Sequence, residues 1–338
     1  MRVAATRILI VLLGAIGDVT RALPLANRLR AAYPQAHIAW VLEPAAAPLL
    51  DRHPAIDERL IFDRPRGFPA FRDLLRRVRA GRFDLVLDLQ RHAKSGLLSY
   101  ASRAPVRIGF HRRNAKELNW VWNTHTIEPV DERGWKLEQY LRFADLLELP
   151  PAAVRFGITL APEEEARVDA LLAGLSRPFA ALFLASTWES RLWFAEGFAA
   201  VADALAERGF DAVLVGGPDA VPLGAETCRS TRHPPLDLCG RTSLREAYGV
   251  LARARLAIGP DSGPMHLAAA AGTPVVSLWG ATTPARSAPW GSEDLVLVGR
   301  VACAPCYLRR CPIGRECMRT ITPARVLAQV ARVLEERR

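Results

Sequence analysis

Short, nearly continuous apolar runs with β-branched residues recur along the chain, at Ile8–Leu13, Ile38–Leu42, Leu85–Leu89, Phe179–Leu184, Ala212–Val215, Leu256–Ile258 and Val275–Trp279. Each is strand-length and flanked by turn residues, which predicts buried strands. Between them the apolar positions take up helical spacing, as in Leu74-Leu-Arg-Arg-Val-Arg-Ala80 and Phe198-Ala-Ala-Val-Ala-Asp-Ala-Leu-Ala-Glu-Arg208, with polar and often basic residues on the other face. Strands alternating with covering helices predict an α/β chain with parallel sheets.

The 147–178 stretch carries Pro150, Pro151, Pro162 and Pro178 around an acidic helix starting at Glu163, and it separates two sets of strands. A boundary near residue 165 follows, dividing the chain into domains 1–165 and 166–338. A length of 338 residues, half of them apolar, suits two ordinary cores. Two such domains are expected to turn the C-terminal ends of their sheets toward one cleft, where open α/β sheets take ligands.

The first apolar run is broken by Gly14, Gly17 and Asp18, so it reads as a first strand rather than a signal peptide or a membrane span. No later segment reaches about 18 uninterrupted apolar residues. The expectation is a cytoplasmic protein, soluble or peripheral, whose anchoring is electrostatic or interfacial. Lys and Arg number 45 against 35 Asp and Glu, a formal charge of +10, which favours an anionic partner: nucleic acid, phosphorylated lipid or phosphorylated substrate.

Four loops carry the candidate chemistry. In Leu13-Gly-Ala-Ile-Gly-Asp-Val-Thr-Arg21, Gly14 and Gly17 let the backbone turn sharply and place Asp18 at or beside a helix start. A dinucleotide fingerprint is absent. Asp18 is either the N-cap of an ordinary strand-to-helix turn or a general base toward a hydroxyl within reach. In Gly259-Pro-Asp-Ser-Gly-Pro-Met-His266 a strand turns into a helix whose first N–H groups lack intrahelical partners, an anion site suited to a phosphate or diphosphate. Asp261 and Ser262 are candidate caps, Gly263 permits close approach, Pro264 suits the first helical position, and His266 offers another donor. Ser186, Thr187 and Arg191 follow the first strand of the second half and can hold phosphate oxygens, or form a solvated loop. Gly216-Gly-Pro-Asp219 closes the next strand as a nucleoside rest or a plain tight turn.

Taken in order, these loops resemble glycosyltransferase family 9, the bacterial heptosyltransferases of the lipopolysaccharide inner core. The matching segments are Gly14-Ala-Ile-Gly-Asp-Val-Thr-Arg-Ala-Leu-Pro24, Ile38-Ala-Trp-Val-Leu-Glu43, Asp84-Leu-Val-Leu-Asp-Leu-Gln90 with Lys94-Ser95, Ser186-Thr-Trp-Glu-Ser-Arg191, Gly216-Gly217, Cys239-Gly-Arg-Thr-Ser-Leu244 and Asp261-Ser-Gly-Pro-Met-His-Leu-Ala-Ala-Ala270. The resemblance implies a GT-B fold of two Rossmann-like domains with parallel sheets facing a central cleft. It implies an ADP-L-glycero-D-manno-heptose donor held by the C-terminal half, inverting transfer, and no cofactor needed for the chemistry.

By the same resemblance Asp18 is the base, and Ser262, Gly263 and His266 take the diphosphate with Ser186, Thr187 and Arg191. Asp261 orients the loop or a sugar hydroxyl, and Asp219 and Thr242 line the adenosine. The Trp-Val-Leu-Glu43 segment is most similar to the branch that adds the first heptose to Kdo-lipid A, at the inner face of the inner membrane. Arg64, Arg66, Arg91, Lys94, Arg112, Arg113 and Lys116 are the basic candidates for that anionic acceptor. The chain departs from the common pattern at Phe194, usually Pro, and at Arg21, often His.

Cys303, Cys306, Cys311 and Cys317 fall at spacings able to close a structural Zn site, or stand as reduced thiols in a packed loop. Two rival readings use the same features. One is a GT-B transferase with a UDP- or GDP-linked donor, and the other a basic nucleic-acid-binding protein with a four-cysteine zinc element. Against the latter, Lys and Arg are spread along the chain and no nucleic-acid-binding signature occurs, so no nucleic-acid partner is expected.

Overall fold

The computed structural model describes residues 1–336. It divides into two compact units, Met1–Thr159 and a second from Leu160 onward. The first holds strands β1 (Arg7–Val11), β2 (His37–Leu42), β3 (Glu58–Ile61), β4 (Leu85–Asp88), β5 (Val106–Gly109) and β6 (His125–Thr126) with helices α1 (Ile16–Ala32), α2 (Gly67–Ala80), α3 (Ala93–Ala101) and α4 (Lys136–Leu146). The second holds β7 (Phe179–Phe183), β8 (Asp211–Val215), β9 (Leu236–Asp237), β10 (Leu256–Pro260), β11 (Val275–Trp279) and β12 (Val296–Val298). Its helices are α5 (Pro162–Leu172), α6 (Ala195–Glu207), α7 (Val221–Arg229), α8 (Leu244–Arg253), α9 (Gly263–Ala270), α10 (Glu316–Arg319) and α11 (Pro323–Glu336).

All seven expected strands are present. The sequence reading passes over β3, β5, β6, β9 and β12. Four of these are sheet edges. An edge strand needs only one covered side and carries polar residues such as Glu58, Arg59 and Asp237, so the continuous apolar signature of a buried parallel strand is missing.

The first sheet runs β3-β2-β1-β4-β5-β6 and the second β12-β11-β10-β7-β8-β9, every pairing parallel. Counted from its own first strand, each unit has the same Rossmann order, 3-2-1-4-5-6. The order reverses between β1 and β4 in one unit and between β7 and β10 in the other. That switch point is where ligands enter open α/β sheets.

The acidic helix α5 belongs to the second unit. Glu164 pairs with Arg245 at 2.5 Å, Arg253 pairs with both Glu165 and Asp169, and Val168 and Leu171 are buried. Residue 165 lies inside a helix fastened to α8, and the units divide shortly before it, between Thr159 and Leu160. The buried face of α11, with Val326, Val330 and Val333, packs into the second unit's own core, against α6 and β11. Among the described residues no helix is long and apolar enough to cross a membrane.

Candidate functional site

In the first unit the switch point brings together the ends of β1 and β4. Helix α1 starts at Ile16 with Ala15 as N-cap and no side-chain cap. Asp18 is thus not the N-cap; it sits in the first turn, with Gly17 buried beside it. The turn needs glycine at residue 14, because a Cβ there would lie 2.8 Å from Asp18 Cβ and 3.0 Å from its Oδ2. The Gln90 side-chain carbonyl, at the end of β4, accepts from the Leu13 and Gly14 amides at 2.9 and 3.2 Å and fixes that turn.

Asp18 Oδ1 accepts from Lys136 Nζ at 2.5 Å and from Arg21 Nη2 at 2.7 Å. Burial pushes its carboxyl up, but the charges and hydrogen bonds of Lys136 and Arg21 outweigh that and hold it far below the ordinary carboxylate range. Arg21 stands in the loop that the sequence singles out, three residues from Asp18, whereas Lys136 is on a distant helix and is brought in by the packing of α4 on α1. Asp88 behaves oppositely. Fully buried, it accepts from Asn119 Nδ2 at 2.7 Å, from Ser95 Oγ at 3.1 Å and from the Gln90 amide at 3.1 Å, yet burial pushes it up to about 6.

The basic candidates divide into two kinds. Arg91 is buried, its guanidinium 3.9 Å from the Phe110 ring centre and 2.5 Å from Gln139 Oε1, which makes it a packing residue as it stands. Arg64 pairs with Glu43, and Lys94 lies over the Phe62 ring. Arg66, Arg112, Arg113 and Lys116 are exposed. The last three share the turn after β5, which is tied back by the Lys116 amide donating to the Arg91 carbonyl at 2.8 Å.

In the second unit the loops after β7 and β10 meet at the other switch point. Gly259 allows it, since a Cβ there would lie 2.3 Å from the Phe183 carbonyl oxygen. Helix α9 begins at Gly263, so Pro264 is its second residue, and Ser262 is the N-cap without making a side-chain cap bond. Asp261 organises the loop: Thr282 Oγ1 donates to its Oδ2 at 2.7 Å, Arg191 Nη1 lies 3.0 Å from the same oxygen, and Ser186 Oγ donates to its carbonyl at 3.1 Å. Arg191 also lies 4.0 Å from the Trp188 ring centre. His266 is enclosed, and Thr187 is exposed.

Two buried polar atoms beside Asp261, Ser262 Oγ and Arg191 Nε, have no hydrogen-bond partner. Buried donors are rarely left so. With the free amides and positive end of α9, they make a site short of one anion. Asp219 is exposed in the turn after β8, and Thr242 half-buried just before Ser243, which closes a capping box with Glu246 at the start of α8.

The four cysteines lie together in α10 and the segment before it. Cys317 is buried, Cys306 and Cys311 half-buried and Cys303 exposed, all as free thiols. Burial pushes the Cys317 thiol up, and the three neighbouring thiols add to that. Cys311 Sγ accepts from the Arg315 amide. Among the described residues no three His, Cys, Asp or Glu side chains are arranged to hold a metal ion.

Residues 71–316 match the family model described as glycosyltransferase family 9 (heptosyltransferase). The lipopolysaccharide core heptosyltransferase OpsX of Haemophilus influenzae is 25% identical over 291 residues, covering 84% of this chain and 82% of that protein. A glycosyl transferase family 9 structure from Veillonella parvula has a TM-score of 0.87 at 23% identity, covering 98% of each chain. The Escherichia coli heptosyltransferase WaaC, solved with ADP, has a TM-score of 0.76 at 22% identity, over 97% of this chain and 99% of that one.

Proposed function

The chain belongs to glycosyltransferase family 9, a transferase of GT-B fold in the lipopolysaccharide heptosyltransferase family, and from that premise we propose that it moves L-glycero-D-manno-heptose from ADP-heptose to the Kdo-lipid A inner core. The observation that carries the donor half is the pair of orphaned donors, Ser262 Oγ and Arg191 Nε, at the N-terminus of α9. A nucleoside diphosphate supplies the missing acceptor oxygens and gains charge as it leaves, where such donors act most strongly. WaaC, a protein of the same fold, was solved with ADP, which supports an adenine nucleotide here. Asp219 and Thr242 are assigned to the adenosine, and Ser186, Thr187, Gly263 and His266 to the phosphates.

Asp18 is the base. The acceptor hydroxyl oxygen bonds to the anomeric carbon, the bond from that carbon to the diphosphate breaks, ADP departs with the electron pair, and the hydroxyl proton passes to Asp18. One displacement inverts the anomeric centre. Held by Lys136 and Arg21, Asp18 is a weak base. An acceptor bearing carboxylates or phosphates draws one of those cations away, and the proton affinity of Asp18 then rises because it is buried. Arg64, Arg112, Arg113 and Lys116 are assigned to the acceptor's remaining charge, and the enzyme works as a peripheral protein at the cytoplasmic face of the inner membrane.

Calorimetric titration with ADP, UDP, GDP and a short single-stranded oligonucleotide tests the donor. Preference for ADP is expected. Preference for UDP or GDP keeps the family and replaces the donor, and binding of the oligonucleotide alone removes the reading. For the base, Asp18→Asn is expected to lower turnover on the order of 100-fold or more with ADP affinity unchanged. Undiminished turnover takes Asp18 out of the mechanism.

A further inference from the structure

Outside the loops already described, the first unit carries an open pocket of about 600 Å³ between α2, α3 and the start of β5. Five arginines line it: Arg72, Arg76 and Arg79 from α2, Arg103 just after α3, and Arg107 at the N-terminal end of β5. Arg107 is held in place, donating to the Trp122 and Ala104 carbonyls at 2.9 and 2.6 Å, with Tyr100 beside it. Among the described residues the other four have no carboxylate partner, and the nearby Asp73 pairs with none of them. Some arginines elsewhere are paired, as with Arg232 to Asp203 and Glu207, or Arg315 to Glu189; here four unpaired ones line a single pocket. Like charges at helical spacings of three and four repel, so the stripe lacks only an external anion.

The surroundings are those of an amphiphile. Leu75 and Leu97 form the apolar part of the pocket, and Tyr100 is 56% exposed at its rim. On α2 the stripe continues toward the other end of the helix through Phe68, 73% exposed, while Ala70, Leu74 and Val78 face the core. Phe68, Arg72, Arg76 and Arg79 thus share one exposed face, cationic with an aromatic residue at one end, while the apolar face of α2 is spent on the core. The pocket lies at the N-terminal end of β5, whereas the Asp18 turn follows the C-terminal end of β1, so the two are separate features of one unit.

We propose that this face docks on an anionic phospholipid bilayer, with the arginines taking headgroup phosphates and Phe68 and Tyr100 entering the interface. The proposal rests on the lipid-linked acceptor of the preceding reading. The test is cosedimentation of the full chain with vesicles of equal parts phosphatidylglycerol and phosphatidylcholine, and with phosphatidylcholine alone. Wild type is expected to bind the anionic vesicles in a manner weakened by salt. The variant Arg72→Glu/Arg76→Glu is expected to partition at least about tenfold more weakly. Arg167→Glu/Arg208→Glu, with the same change in net charge on exposed residues outside the pocket, stays within about threefold of wild type. Thermal melting and ADP titration check that both variants fold.

Equal loss in the two variants, no binding of anionic vesicles by wild type, or loss of affinity for inorganic phosphate with vesicle binding intact each overturns the proposal. Failure of the enzymatic reading shows separately, as absence of heptosyl transfer by wild type to a detergent-dispersed acceptor.

Discussion

At the scale of single residues, Asp18 and Asp88 are two desolvated carboxylates held in opposite ways. Both are desolvated, but Asp18 has two cations on one oxygen and stays ionised, while Asp88 has only neutral donors and is pushed up to about 6. Asp88 is wholly enclosed and cannot touch a substrate; its work is to hold Gln90 and the segment around Ser95. Lys136→Met removes one cation from Asp18 and leaves the burial, so the Asp18 pKa rises. The acid limb of kcat/KM is therefore expected to move to higher pH than in wild type; an unmoved limb would show that Lys136 does not tune the base. The stability sign follows from linkage. A folded value below the ordinary 3.8 means that Asp18 stabilises above that pH and that the contribution is lost as pH falls through the folded value. In Lys136→Met this acid-side loss shrinks, which urea denaturation between pH 5 and 2 reads directly. Asp18 was legible because glycines and a first strand frame it. Lys136 was not, since 118 residues separate it from Asp18 and no local pattern records such a contact.

At the scale of elements, strands covered on both sides announced themselves as apolar runs, and edge strands did not. The loop before α9 stood out in the sequence as a candidate anion site because its polar residues exceed what capping needs. The sequence could not show that Ser262 caps nothing and that Asp261 ties Arg191 to Thr282. Those two facts give opposite predictions for adjacent residues. Ser262→Ala deletes a buried hydroxyl that bonds to nothing in the free protein, so thermal stability is expected to hold or rise slightly, while ADP binds several-fold more weakly, about 1 kcal/mol for one lost hydrogen bond. Asp261→Ala instead strips an enclosed guanidinium and hydroxyl of their acceptor and is expected to cost about 3 kcal/mol of stability. If Ser262→Ala left ADP affinity at its wild-type value, the hydroxyl would not be a phosphate donor. The four cysteines of one segment do gather, since the other three thiols act on Cys317, but their spacing could not show that Cys317 is buried while Cys303 is exposed and Cys311 Sγ accepts a backbone amide.

At the scale of the whole molecule, the two units repeat one strand order on unrelated stretches of sequence, and each has its own core. Leu9, Val11, Val41 and Leu60 belong to one cluster, and Leu182, Phe198, Leu214 and Ile258 to the other. Each unit exceeds the size at which a domain buries enough surface to be stable alone. Heating is therefore expected to give two calorimetric transitions. The orphaned donors sit wholly within the second unit, so ADP at about 100 times its dissociation constant should stabilise that unit by about 2.7 kcal/mol and raise only one transition. Leu9→Ala, a cavity in the first core costing about 2–5 kcal/mol, should lower only the other. Movement of both transitions together under either change would mean that the chain unfolds as one cooperative body. In that case donor binding, read in the second unit, would also be felt at Asp18, and mutations of the anion loop would alter the pH dependence of the base as well as affinity for the nucleotide.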